Sequence, residues 1–307
     1  MDKVNFESLA NIEFGSPHKS GRMTVVPLVG DMPGPQYMTL KRALLEGVLE
    51  IVELDENATV SELVATNVSD EHILVVEGEE ILGAMQNRVL NTTVLLLPNS
   101  VTRIPVSCTE LGRWSETSAQ FSDSDEVMPS KVRVGMKERV SYSMGQNSRD
   151  SGQAAVWNDI DLLAEDLGVH SRTSAMKDTT LRYRADLDSQ SEDFDPAVGQ
   201  VGSVIFVDSE MAGLEIVSSP DAFKELWPKM FRSYAIDALR TKPRGDSNVE
   251  LAKVVEKLLT GIPTWIWDNF DGVGGGQELR SKSGDSVGSA LALDEDLVYM
   301  SVINKAM

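Results

Sequence analysis

Between Val48 and Leu111 the chain repeats one plan: a short aliphatic run, a cluster of turn formers, then another aliphatic run. VLEIVEL (48–54) alternates as a half-buried strand does. SELVATNVSDEHILVVEGEEIL (61–82) reads as two strands joined at Asn67-Val-Ser-Asp70, where short polar side chains bond back to their own backbone. TTVLLLPNSVTRIPVSCTEL (92–111) repeats the pattern around Pro98-Asn99-Ser100. Short strands at these intervals bury their apolar sides by pairing and stacking. This stretch is therefore expected to form an antiparallel, sandwich-like unit.

The remainder mixes helices with further strands. TLKRALLE (39–46) predicts a helix capped by Thr39 and stopped by Gly47. Ser, Asp and Gly dominate residues 115–126 and 143–152, which read as loops. VMPSKVRVGMKERVS (127–141), between them, is either a helix or an irregular excursion. Val156, Ile160, Leu163 and Leu167 recur at helical spacing, predicting a helix over Gln153–Leu167 that ends at Gly168. DLDSQSEDFD (186–195) reads as a solvated acidic loop. VGSVIFVDSEMAGLEIVSS (201–219) predicts a hairpin, and Pro220–Leu239 a helix that Pro228 would kink or divide. Val249–Leu259 is amphipathic, and the C-terminal residues alternate like two closing strands around Leu293-Asp-Glu-Asp296. The expected class is α+β: an antiparallel β-sandwich-like N-terminal part (1–150) and a helix-containing second β part (151–307), packed as one unit.

Charge and composition narrow the partners. A net charge of −20 over 307 residues repels nucleic-acid phosphates and anionic membranes, so neither is an expected partner. The longest aliphatic runs, ILVV (73–76) and VLLL (94–97), are too short to cross a bilayer. A single cysteine, Cys108, excludes an internal disulfide and makes a reducing cytoplasm the default location. His18, His72 and His170 stand far apart with no ligand pairing, so no metal site is expected. Nothing in the residues sets an oligomeric state.

The window Glu79–Ser115 departs from this acidic background. Glu79, Glu80 and Glu110 balance Arg88, Arg103 and Arg113, so the window is neutral, and each of its bases is arginine. Arginine presents a planar fork to carboxylates and phosphates and stacks on rings. Gln86, Asn87 and Asn91 add amides, and Trp114 follows Arg113 directly. A pocket that reads a small polar anion uses this mixture. Two readings stand. In one, the polar side chains line a cleft. In the other, the arginines tie glutamates into internal ion pairs while the amides cap turns.

Two other clusters carry the same ambiguity. GVHSRTSAMKD (168–178) follows a helix and is rich in hydroxyls; as a loop it could meet the first window. FDGVGGGQELR (270–280) has three successive glycines, which permit an anion nest or a tight hairpin entry, but it fits neither phosphate-binding loop fingerprint. Cys108, in a predicted strand, reads as a small buried hydrophobe, since nothing places a base beside it.

GEEILGAMQNRVLNTTVLLLP (78–98) followed by IPVSCTELGRWS (104–115) resembles the ADP-ribosylglycohydrolase and rhodanese–phosphatase associated protein family. Weaker agreement continues through residues 156–178, the 201–217 hairpin, MFRSYAIDAL (230–239) and GVGGGQELR (272–280), covering most of the chain. Ala84-Met85 and the acidic insert at 186–195 depart from the pattern. The resemblance implies a role beside ADP-ribose and NAD-derived metabolites. On that basis the chain is expected to hydrolyse or transfer a group on such a nucleotide. Glu79 or Glu80 would be the general acid/base, and Gln86, Asn87, Arg88, Asn91, Glu110, Arg113 and Trp114 would hold a small anionic nucleotide-like ligand. Magnesium held by the glutamates is the one cofactor left open. A non-catalytic binding module and a structural or interaction protein are the competing readings.

Overall fold

The strand pattern legible between Val48 and Leu111 folds as a pair of stacked sheets. The computed structural model describes residues 6–54, 61–113, 118, 120–244 and 249–306. The chain forms two compact units that interleave along the sequence. One comprises Gln36–Ala185 with Gly272–Gly275; the other comprises Met1–Pro35, Asp186–Asp271 and Gly276–Met307. The class is α+β.

In the first unit, six antiparallel strands run in the order Ser122–Val127, Glu79–Leu82, Arg88–Leu90, Ser100–Cys108, Glu62–Asn67 and Leu49–Glu53. Four shorter strands form a second sheet in the order Val273–Gly274, Val94–Leu96, His72–Val75 and Tyr37–Thr39, with its two outer pairs parallel. Ile73, Val75, Val94 and Leu96 of the small sheet pack with Ile51, Leu63, Ile81, Leu90, Ile104 and Val106 of the large one. Alternation in each strand sets this core: inward positions are aliphatic, and a slip of one residue would turn them all outward. Thr39 caps the Leu40–Leu45 helix by accepting the Arg42 amide. The Asn67 carboxamide oxygen accepts from the Ser69 amide at 2.9 Å, making the expected turn.

Three helices complete this unit's chain: Ser130–Met144, Gln153–Asp166 and Met176–Glu192, the last running past Ala185. The first resolves the alternatives at 127–141 in favour of a helix. The last corrects the loop expected at 186–195. Leu187 is buried, and Arg232 holds Asp188 at 2.7 Å, so a buried leucine and an ion pair anchor the segment where little hydrophobic periodicity shows. Ser122–Val127 is a second correction. SDSDEV reads as a loop by composition but is a strand, with Ser124, Glu126 and Val127 buried.

The Gly272–Gly275 segment crosses the small sheet edge. Gly274 has φ 81°, and a Cβ there would collide with the Leu95 carbonyl oxygen. Close backbone approach explains its glycine.

The second unit is built on a nine-stranded antiparallel sheet among the described residues. Its centre is the Gln200–Val207/Glu210–Val217 hairpin, flanked by Met23–Val29 on one side and Asp296–Asn304 on the other. The C-terminus contributes three strands, Gln277–Ser283, Ser286–Leu293 and Asp296–Asn304, one more than expected. Leu214, Ile216, Met300 and Val302 share one face with Val255, Leu259 and Ile262, so the Leu251–Gly261 helix and the turn after it cover that face. The opposite face carries Glu215, which accepts Tyr234 Oη at 2.6 Å and Tyr299 Oη at 2.8 Å. Tyr234 lies on the Pro220–Arg240 helix, which passes through Pro228 unbroken. Pro228 is exposed, so the carbonyl it leaves unbonded can take water.

Candidate functional site

The register of the large sheet sorts the polar window into two sets. Ile81 and Leu90 point into the sandwich core. Arg88 is the cross-strand partner of Ile81 and lies two residues from Leu90, so it shares their side. Glu80 is the partner of Val89 and points the other way.

The core-side set is sealed. Arg88 is 1% exposed and donates from Nη1 to Gln86 Oε1 at 3.1 Å and from Nη2 to Glu53 Oε1 at 3.1 Å, with a close contact to Cys108 Sγ. Gln86 Nε2 donates to the Glu110 carbonyl at 2.7 Å. Asn91 accepts the Ser107 hydroxyl at 2.7 Å and donates to the Arg149 carbonyl at 3.0 Å. Glu79 accepts the Val76 amide at 2.7 Å, closing the turn that leads into its own strand. Burial pushes the Cys108 thiol up to about 11, although Arg88 pulls the other way, so it carries no thiolate at neutral pH. None of Glu79, Gln86, Arg88 and Asn91 lines the cleft described next. Here the internal-network reading of the window describes the arrangement: alternation turns Arg88 toward the core, and Glu79, Gln86 and Asn91 are each bonded to neighbouring protein groups, Asn91 on the side of Ser107 and Val89.

The other set borders an open cleft of about 330 Å³. Asn87, Glu110 and Arg113 line it, with Ser118, Ser122, Lys177 and Asp178. Arg113 is fixed by three acceptors: Glu110 Oε2 at 2.7 Å, the Ala84 carbonyl at 2.9 Å and Asn87 Oδ1 at 2.9 Å. Lys177 is half-buried and forms no salt bridge among the described residues. It comes from the second polar cluster, which meets the first as the sequence allowed. Glu110 and Ala175 form a β-bridge, and the Met176 amide donates to the Thr109 carbonyl at 2.9 Å. His170 lies apart, in a separate hollow with Asp161 and Glu165. Trp114 lies outside the described residues.

Glu80, two residues before the cleft-lining Leu82 in the same strand, is fully buried. Its Oε1 accepts the Thr109 hydroxyl at 2.7 Å, while Oε2 has no hydrogen-bond partner among the described residues. Burial is the main reason its carboxyl is pushed up to about 7, and the Glu126 carboxylate adds to the rise. The Thr109 hydroxyl, Lys177 and more weakly Ser124 oppose it. A bulge positions two of these groups: the register of Ser122–Val127 against Glu79–Leu82 shifts between Asp123 and Val127, with Asp125 at φ 59°. Arg184 then holds Glu126 at 2.8 Å.

Glu80, a member of the expected acid/base pair, thus has a raised carboxyl and feels the charge of Lys177, which lines the cleft. Lys177, Thr109, Ser124 and Glu126 were not among the expected site residues. Period-2 spacing from Glu80's partner strands marks Thr109, but Glu126 needs the bulge, which SDSDEV does not announce. Among the described residues, no group of three or more His, Cys, Asp and Glu is arranged to hold a metal ion. No helix among them is long and apolar enough to cross a membrane.

The family model for the ARG and Rhodanese-Phosphatase-superfamily-associated Protein domain matches residues 11–303. No curated protein and no solved structure matches the chain.

Proposed function

This chain belongs to the ARG and Rhodanese-Phosphatase-superfamily-associated Protein family, and from that premise we propose that its cleft binds a small anionic metabolite of the ADP-ribose and NAD-derived class. The reading takes ARG in the family name as ADP-ribosylglycohydrolase, and that association supports a ligand of the ADP-ribose class. One observation carries it: in a chain of net charge −20, the Arg113 guanidinium, fixed against Glu110, and a lysine without a salt bridge among the described residues border one open cleft with Asp178, an amide and two serine hydroxyls, so the cleft is locally neutral in an acidic chain. Arg113 is held in place before any ligand arrives, which limits the ordering cost of binding. Lys177 supplies a compact charge that can move onto a phosphate. Ser118, Ser122 and Asn87 supply hydrogen bonds that orient it.

A second reading is enzymatic, and Glu80 favours it. A carboxyl near 7 is poised to give and take a proton at neutral pH. It would act on a ligand whose arrival opens a path to the buried oxygen, or through a water, in hydrolysis or transfer on the nucleotide. Metal chemistry has no supporting ligand set among the described residues.

Thermal unfolding with and without ADP-ribose tests the binding reading. Ligand at about a hundred times its dissociation constant raises stability by roughly 2.7 kcal/mol. Product analysis of the same mixtures, with and without magnesium, separates the two readings. A thermal shift without turnover leaves a binding module. Turnover abolished by Glu80→Gln makes it an enzyme. Neither shift nor turnover with ADP-ribose, its phosphorylated forms or NAD rejects both.

A further inference from the structure

Glu80 and Lys177 belong to different elements, and the cleft touches only one of them. Lys177 lines the cleft from the start of the Met176–Glu192 helix. Glu80 is fully buried in the Glu79–Leu82 strand, with one carboxylate oxygen lacking a hydrogen-bond partner among the described residues. The groups that act on Glu80 can be named element by element. Thr109, just past the Ser100–Cys108 strand, donates its hydroxyl. The bulged Ser122–Val127 strand presents Ser124 and Glu126, and Glu126 is itself held by Arg184. The neighbouring Arg88–Leu90 strand presents Val89, which carries no charge. Thr109 joins the two sites: its hydroxyl donates to Glu80 while its carbonyl accepts the amide of Met176, the residue before Lys177. Among the described residues Lys177 is the cation acting on Glu80, and it is also the group a ligand in the cleft would engage.

We propose that an anion seated on Lys177 drives protonation of Glu80, so that ligand binding takes up a proton from solvent. The inference rests on the anion-binding reading of the cleft and adds its regulation by pH. Lys177 favours the ionised form of Glu80. A bound phosphate offsets that field and adds negative charge of its own. Both changes make the proton harder to remove, in a buried setting where charges are weakly screened. One proton moves from bulk water to Glu80; no bond to the ligand forms or breaks. Linkage makes the effect reciprocal: a neutral Glu80 favours the anion. Affinity is therefore highest below the free protein's titration near 7 and falls as pH rises through it, levelling off above the higher titration of the complex.

The experiment is isothermal titration of the full chain with ADP-ribose, whose two bridging phosphates keep a fixed charge between about pH 6 and pH 9. Buffers of different ionisation enthalpy report the protons exchanged. If binding shifts Glu80 by about one unit, uptake near pH 7 is about 0.4 proton per ligand, and affinity weakens about tenfold across the range. Glu80→Gln is expected to abolish the uptake and flatten the pH dependence. Thr109→Val, which removes the hydroxyl favouring the ionised form, is expected to move maximal uptake to higher pH and keeps the test open if Glu80→Gln misfolds. Binding with no uptake, or with uptake unchanged in Glu80→Gln, overturns the coupling while leaving the anion site standing. No binding by the wild type overturns the anion site, and the coupling with it.

Discussion

Glu80→Gln changes one oxygen for an amide nitrogen and isolates the cost of burying an ionisable group. The folded carboxyl titrates near 7 against an ordinary value of 4.5. The sign follows from which state holds the proton more tightly. The folded state does, so the stability linked to this group is fully present below about 4.5 and is lost as pH rises through about 7. At about pH 5.5 ionisation in the unfolded chain already costs the wild type about 1 kcal/mol relative to a group that does not titrate. At about pH 8.5 the cost approaches its full value of about 3 kcal/mol. Glutamine retains an acceptor for the Thr109 hydroxyl. The variant should therefore gain about 2 kcal/mol on the wild type between the two pH values. Urea unfolding of both proteins at each pH measures this directly, because other titrating groups largely cancel in the difference. An unchanged gap between the proteins, or a wild type that gains on the variant at high pH, would refute the assignment of a raised, burial-driven carboxyl to Glu80.

Other expectations follow from the sorting of the polar window. Arg88→Ala should destabilise the first unit by about 3 kcal/mol, since it leaves Gln86 and Glu53 without their buried partner and opens a void; the folded fraction should bind ADP-ribose as the wild type does. Lys177→Met should do the reverse, changing urea-measured stability by at most about 0.5 kcal/mol while removing most of the ligand-induced thermal shift. Gly274→Ala, at φ 81° and against the Leu95 carbonyl, should cost about 1–3 kcal/mol in the same unfolding assay.

The sequence carried the sandwich because its signals are local: alternation in VLEIVEL, the Asn67 turn and the Thr39 cap each specify structure within a few residues. It carried the two meeting polar clusters for the same reason, as breaks in an otherwise regular pattern. Strands and helices held by few apolar contacts were not legible. SDSDEV hides a bulged strand whose buried serine and glutamate are polar, and residues 186–192 continue a helix whose sequence shows little apolar period, anchored by Leu187 and the Asp188–Arg232 pair. Partition of the window was readable in principle. Period-2 alternation places Arg88 with Ile81 and Glu80 with Val89, but only once the strand register is known. Lys177 lay inside the second cluster with nothing to single it out; it becomes a site residue because Ala175 bridges to Glu110 across a long separation in the chain.

The most direct test of the anion-binding cleft is a crystal structure of the protein grown with saturating ADP-ribose. The account predicts the diphosphate in the hollow bordered by Asn87, Arg113 and Lys177, with a phosphate oxygen within hydrogen-bond reach of Lys177 Nζ. Ligand density at another surface, or an empty cleft at saturation, would contradict it.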